Sequence, residues 1–142
     1  HTSSKFYFIS KMRTHFNPKN NPRVIIIQKL YGKFFNDEDD LDFPKHRFKK
    51  FIKDIVQGTI ERNDLILEEL NTKLGDKFIF NNLDKIFQII LKAATYEFLY
   101  KPNVSINIII KEYLNSSNFF LEDSQTKYLN ALLDNIGKKL RS

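Results

Sequence analysis

Three residues near the carboxyl end of the chain combine side chains that suit single-stranded RNA. Lys127 is a cation, Tyr128 offers an aromatic face and Asn130 carries an amide, all within four positions. Cations attract phosphates without reading sequence, whereas specific recognition of RNA uses bases that stack on aromatic rings and hydrogen-bond through their edges. Tyr128 also falls on the apolar stripe of a predicted helix, and this segment alone favours its burial over contact with a base.

No group of residues indicates catalysis or metal binding. None of the histidines, His1, His15 and His46, is spaced from another as a metal-ligating pair. The chain has no cysteine, and its four glycines form no phosphate-binding loop. Glu97 lies near the end of an apolar segment, where we expect a structural carboxylate rather than a general base. The sequence therefore predicts a binding protein that is not an enzyme and needs no metal or cofactor.

Positive charge is concentrated in the first quarter of the chain. Residues 1–36 contain seven basic residues and no acid, although the net charge of the whole chain is +6. This asymmetry favours a polyanionic partner such as nucleic acid, although a solubilising arm gives the same composition. Residues 1–18 show no sustained periodicity and are predicted to be a flexible basic extension. Met12 suggests a natural start with the preceding residues upstream, and a basic targeting leader is the alternative.

The remaining residues, 19–142, predict one domain with no membrane partner. The chain of 142 residues contains no apolar run of membrane length. The absence of cysteine is compatible with a reducing cytoplasm, which is the expected location.

The segment Leu83–Tyr100 predicts the helix around which the other elements pack. Its apolar side chains lie on more than one side of a 3.6-residue period, which indicates a helix buried among several others. Asn82 is the predicted N-cap, and Pro102 follows the predicted end.

Two amphipathic helices are predicted in the first 60 residues. Asn21 is the predicted N-cap of the first, and Pro22 takes its first position. The inward residues of the first helix are Val24, Ile27, Leu30, Tyr31 and Phe34. Those of the second are Phe48, Phe51, Ile52, Ile55, Val56, Thr59 and Ile60. Gly58 is predicted to allow a close helix contact, and the outer face of the second helix carries Lys45, Arg47, Lys49, Lys50 and Lys53.

Three shorter patterns complete an all-α fold of six or seven helices. A helix that buries Leu65, Ile66 and Leu70 is predicted to end near Gly75. Ser105 is predicted to cap another, although the β-branched run 104–110 leaves a strand as the alternative. Glu122, Asp123 and Ser124 open the last helix. Its predicted inward residues are Tyr128, Leu129, Leu132, Leu133, Ile136 and Leu140.

Several segments, taken in order, resemble the NusB family of transcription antitermination factors. Ile90–Glu97 is similar to that family's I-L-R-x-A-x-Y-E, and Lys127–Asp134 is similar to its K-F-V-N-G-V-L-D. The shorter pieces are Arg23 with Gln28–Tyr31, Phe51 with Ile55–Gly58, Ile106–Asn107, and Asp123–Ser124. The resemblance runs from about Lys19 to Arg141.

The resemblance implies two small helical bundles around the central helix, and a role in binding. NusB-like proteins bind single-stranded boxA RNA together with the ribosomal protein NusE, join elongating RNA polymerase and support transcription of ribosomal RNA. The resemblance implies that the RNA-binding residues, which match the family's RNA-facing positions, are Lys19, Arg23, Lys127, Tyr128 and Asn130. Tyr31 and Phe87 correspond to positions that face the protein partner.

Departures from the family pattern concern the interfaces more than the fold. The family's arginine cluster is reduced here to Lys19 and Arg23, so fewer phosphates would be neutralised. Ile108 replaces a glutamate, Phe87 replaces an acid, and Ala131 replaces a glycine. Two alternatives remain open: the NusB-like RNA-binding domain of an RNA methyltransferase, and a helical DNA-binding regulator.

Overall fold

The computed structural model describes residues 21–37, 41–43, 45–75 and 80–141, and the predicted extension 1–18 lies outside them. The described residues form six α-helices and no strand, so the all-α prediction is confirmed and the strand alternative for 104–110 is wrong. The helices are α1 (Pro22–Phe35), α2 (Lys49–Glu61), α3 (Asn63–Leu74), α4 (Lys85–Tyr100), α5 (Ile106–Ser117) and α6 (Asp123–Leu140). A 3₁₀ turn, Phe80–Asn82, precedes α4.

Helix α4 is the predicted central helix. It packs against each of the other five helices, and Phe87–Leu91 and Ala93–Phe98 are buried. The helix begins at Lys85 with Asp84 as N-cap, so the prediction of Asn82 as N-cap is wrong. The backbone amide of Leu83 donates to the carbonyl of Phe80 (3.1 Å), which places Asn82 inside a tight turn instead.

Helices α1 and α2 both run antiparallel to α4. Arg23 at the start of α1 reaches Glu97 near the end of α4, and Lys85 at the start of α4 lies over Phe34 near the end of α1. In α2, the early residue Asp54 forms an ion pair with Lys101. The first turns of α1 and α2 therefore lie together at the carboxyl end of α4.

Gly58 allows the close contact between α2 and α4 that the sequence predicted. A Cβ atom at this position would overlap the ring of Tyr96. The Tyr96 hydroxyl donates to Asp54 of α2 (3.1 Å), which holds the ring in this space. The absence of a side chain at Gly58 thus sets the spacing of the two helices.

Helices α5 and α6 form the second small bundle with α4, and α3 contacts both α4 and α6. Ser105 caps α5 as predicted, accepting from the amide of Ile108 (3.2 Å). At the carboxyl end of α6, Arg141 donates to the backbone carbonyls of Phe98 (2.9 Å) and Lys101 (2.8 Å). These bonds tie the end of α6 to the end of α4.

Four residues predicted to face inward are exposed: Phe34, Phe48, Leu65 and Tyr128. Phe48 precedes α2 as its N-cap, and Leu65 and Phe34 lie in the first and last turns of their helices. The end of a helix extends past the neighbouring helices that cover its middle. Apolar residues there keep the 3.6-residue spacing but remain exposed.

Candidate RNA interface

Tyr128 lies at the surface in the second turn of α6, with 49% of its surface exposed. The inward face of α6 is already filled by Leu129, Leu132, Leu133 and Ile136, which are buried, so the favoured burial of Tyr128 is wrong. Its ring centroid lies 5.6 Å from that of Phe87 in the first turn of α4, at an interplanar angle of 43°. Phe87 is only 4% exposed, so an exposed ring rests on a buried one.

Lys127 and Asn130 flank this ring on the exposed side of α6. They are three residues apart, so they share one face of the helix. Neither side chain has a hydrogen bond or ion pair with another residue in the described part of the chain. The structure therefore brings the cation, the aromatic face and the amide together at one accessible surface.

A groove of about 320 Å³ lies beside Tyr128, between the start of α4 and the start of α6. Its lining residues are Asn82, Leu83, Asp84, Phe87, Ser124, Gln125 and Tyr128. Gln125 holds the two helix starts together, because its amide donates to Asp84 (3.3 Å) and its carbonyl accepts from the backbone amide of Glu122 (3.0 Å). Asp84 and Gln125 were not among the predicted site residues, although both stand where a helix start needs polar side chains.

The charges of this groove favour a base over a phosphate. Asp84 is a carboxylate, which repels a phosphate but accepts hydrogen bonds from amino groups. Tyr128 supplies a face for stacking, and Lys127 lies outside the groove lining. An exposed aromatic face beside hydrogen-bonding groups is an arrangement that proteins use to hold unstacked bases of single-stranded RNA.

Arg23 lies in a different environment from the other predicted RNA-binding residues. It is 8% exposed, and its guanidinium donates to both carboxylate oxygens of Glu97 at 3.0 and 2.6 Å. The rings of Phe51 and Tyr113 lie 5.0 and 5.3 Å from the guanidinium carbon. Burial alone would lower the pKa of Arg23. The hydrogen bonds to Glu97 and the negative charge of Glu97 have the larger combined effect, so the pKa is raised.

This ion pair accounts for Arg23 without a nucleic acid. Glu97 is 0% exposed, which confirms the prediction of a structural carboxylate. A phosphate that took the place of Glu97 would leave the buried carboxylate without its counter-charge, which is strongly unfavourable. Arg23 is therefore best explained as a structural cation. The second predicted basic residue of this segment, Lys19, lies outside the described residues.

The two residues predicted to face a protein partner are both buried. Tyr31 is 2% exposed and Phe87 is 4% exposed, so neither presents a free ring. Tyr31 instead contacts the exposed Phe35, with ring centroids 4.8 Å apart, and Phe35 lies 5.2 Å from the exposed Phe34. Adjacent residues on a helix point in directions about 100° apart, so the pair Phe34–Phe35 was a sequence signal that the two rings could not both face the core.

Phe34 borders a second concave region, of about 360 Å³, between α1, α2 and α4. Lys33 and Lys92 also line it, and Lys85 lies 4.7 Å from the Phe34 ring centroid. Burial lowers the pKa of Lys92, and the nearby charge of Lys85 lowers it further. This region combines exposed aromatic surface with positive charge, and its residues come from helices too far apart in sequence for a local pattern to indicate it.

In the described ranges no three of the metal-ligating residue types come together as a potential ion site. Within the same ranges, no helix has the length and apolar character needed to span a membrane.

Comparison with known proteins identifies the family. The family model described as the NusB family matches residues 20–138. The transcription antitermination protein NusB of Sphingopyxis alaskensis is 32% identical over 116 residues, covering 80% of this chain and 74% of that protein. The transcription antitermination protein NusB of Sinorhizobium medicae is 30% identical over 142 residues, covering 88% of this chain and 89% of that protein.

A solved structure supports the fold. The NusB structure of T. maritima superposes with a TM-score of 0.72 at 23% identity, covering 87% of this chain and 92% of that one. The fold similarity is consistent with the five helices packed around α4 in the described residues, and the family match extends over most of the chain. The chain therefore belongs to the NusB family, whose named relatives are transcription antitermination proteins.

Proposed function

We propose that this protein is a transcription antitermination factor that acts by binding RNA and catalyses no reaction. Its RNA is a single-stranded boxA-type element, which it binds together with the ribosomal protein NusE. The resulting complex joins elongating RNA polymerase in the cytoplasm and supports transcription of ribosomal RNA. The observation that carries the RNA contact is the half-exposed Tyr128 ring supported by Phe87 at a groove between α4 and α6.

Each residue of this surface has a distinct role in the proposal. Tyr128 stacks on one base, which every base permits because each has a π face. Lys127 neutralises a phosphate, while Asn130 and Asp84 hydrogen-bond to base edges. Lys19 remains a proposed phosphate contact from the basic segment, whereas we propose a structural role for Arg23 because its guanidinium is paired with the buried Glu97.

The proposed NusE contact uses residues that Tyr31 holds in place. Tyr31 supports Phe35, and Phe35 with Phe34 exposes an aromatic surface at the end of α1. Aromatic side chains are enriched in protein interfaces because they bury a large area with few rotatable bonds. Phe87, which the resemblance places toward the protein partner, is buried against Tyr128, so we propose that it supports the RNA surface instead of contacting NusE.

Titration of labelled boxA RNA with and without NusE tests the proposal. RNA and NusE should bind more tightly together than either does alone, because each ligand raises the affinity for the other by the same factor. Equal RNA affinity at zero and saturating NusE would remove the main support for the proposal.

A pair of variants separates the two surfaces. Tyr128→Ala should weaken RNA binding and leave NusE binding in the absence of RNA unchanged. Phe34→Ala should weaken NusE binding and leave RNA binding in the absence of NusE unchanged. Both residues are exposed aromatics on helices, so each variant is a matched control for the other. If both variants weaken both ligands equally, the assignment of separate surfaces is wrong.

A further inference from the structure

The strongest unassigned feature is a basic face at the start of α2, which we call the α2 basic face. Its residues are Lys45, Arg47, Lys49, Lys50 and Lys53, all exposed. No acidic residue lies between Phe43 and Lys53, and the next acid, Asp54, pairs with Lys101. None of the five takes part in an ion pair with another described residue. Among the described residues, therefore, no ion pair neutralises this charge.

An aromatic side chain interrupts this positive charge. The Phe48 ring is exposed, and the Arg47 guanidinium carbon lies 4.9 Å from its centroid. The His46 ring centroid lies 5.8 Å away, and His46 Nδ1 accepts from the backbone amide of Phe48 (2.9 Å). Positive charge interleaved with exposed aromatic surface is the arrangement that binds single-stranded nucleic acid without sequence preference.

The α2 basic face is separate from the surface around Tyr128. Asp54, directly after it, contacts Lys101 at the carboxyl end of α4, whereas Tyr128 contacts Phe87 in the first turn of α4. At a rise of about 1.5 Å per residue, these two ends of α4 lie about 20 Å apart along its axis. The face also lies beside the start of α1, because Arg23 contacts the ring of Phe51.

We infer that the α2 basic face binds the phosphates of single-stranded RNA that flanks the element bound at Tyr128. The inference rests on the proposed function for the identity of the RNA. The face itself reads no sequence, because lysines attract phosphates without reading bases. Contacts here add to the few that the reduced basic segment before α1 supplies.

The test compares two RNAs at several salt concentrations. One RNA carries boxA alone, and the other carries the same boxA followed by a polyuridine tail. The test variant is Lys49→Ala/Lys53→Ala, which removes two exposed lysines from one face of α2. The matched control is Lys111→Ala/Lys138→Ala, which removes the same charge from exposed positions on α5 and α6.

With the tailed RNA, the test variant should flatten the slope of log K against log salt by up to about 1.4, from about 0.7 per lost phosphate contact. With boxA alone the slope should match the unsubstituted protein, and the control variant should keep the full slope on both RNAs. Equal slopes for test and control variants on the tailed RNA would overturn the inference. A third probe carries a duplex DNA tail in place of polyuridine. If the test variant flattens the salt slope only with this probe, the inference is also overturned.

These outcomes are distinct from failure of the proposed function. Untailed polyuridine tests the α2 basic face by itself, because it needs neither boxA nor NusE. If polyuridine binding depends on Lys49 and Lys53 while NusE has no effect on boxA affinity, the inference is supported and the proposed function fails. If NusE raises boxA affinity while polyuridine binding is independent of both lysines, the inference fails and the proposed function is supported.

Discussion

At one end of α4 the Arg23 guanidinium lies in the core against Glu97, whereas at the other end Lys127 and Tyr128 lie at the surface. The family resemblance assigned all three side chains to RNA, yet their surroundings differ in kind. The buried guanidinium already has two carboxylate bonds and two aromatic neighbours, so it stabilises the fold. Within the described ranges the exposed pair has no comparable hydrogen-bonding partners, so it is available to a ligand.

Replacing Glu97 tests the buried end and should give the largest effect. Glu97→Gln keeps the side-chain shape but removes the carboxylate that forms two hydrogen bonds with the buried Arg23 guanidinium. We expect the free energy of unfolding to fall by about 3–5 kcal/mol, measured by urea denaturation. Asp134→Asn breaks the exposed pair with Lys138 and should change it by less than about 1 kcal/mol. A similar loss in both variants would contradict the structural role of Arg23.

A single methyl group added at Gly58 tests how closely α2 packs against α4. Gly58→Ala forces a Cβ atom into the Tyr96 ring. We expect it to lower the free energy of unfolding by about 1–3 kcal/mol, because overpacking outweighs the better helix propensity of alanine. Ala131→Ser, on the exposed side of α6, should change it by less than about 0.5 kcal/mol. Equal changes in the free energy of unfolding for Gly58→Ala and Ala131→Ser would mean that α2 and α4 can move apart at Gly58 at little cost.

The sequence predicted the helices well because their apolar spacing is local information. Asn21 and Ser105 cap the helices that they were expected to cap, and Gly58 permits the expected close contact. The burial of Glu97 followed from its position on a helix that is apolar on several sides.

The positions of Arg23 and Tyr128 could not be predicted from local pattern. Arg23 and its partner Glu97 are 74 residues apart, so no local spacing links them. Tyr128 lies at the edge of the α6 stripe, where burial depends on which neighbour covers the helix. Here Phe87, on another helix 41 residues earlier, contacts the Tyr128 ring but leaves about half of that residue's surface exposed. Tertiary contacts between distant segments therefore determined the parts of the candidate site that the sequence left open.

Removing the exposed ring should weaken RNA binding more than it weakens the fold. Tyr128→Ala should reduce boxA affinity by about 1–3 kcal/mol, or about five- to 150-fold, because one base loses its stacking partner. The free energy of unfolding should fall by about 0.5–1.5 kcal/mol from the lost contact with Phe87. Tyr128→Phe keeps both ring contacts and should bind RNA almost as the unsubstituted protein does. If Tyr128→Phe loses as much affinity as Tyr128→Ala, the hydroxyl rather than the ring makes the contact.

Salt dependence gives the smallest expected effect and the most direct test of the comparison. Lys127→Ala should flatten the slope of log K against log salt by about 0.7, because one phosphate contact on a single strand is lost. Lys19→Ala should do the same if the basic segment before α1 also contacts RNA. Arg23→Ala should leave the slope unchanged once affinity is expressed per folded molecule, since its guanidinium is occupied by Glu97. A flatter slope for Arg23→Ala would mean that RNA competes with Glu97 for this guanidinium, and the two ends of α4 would then share one function.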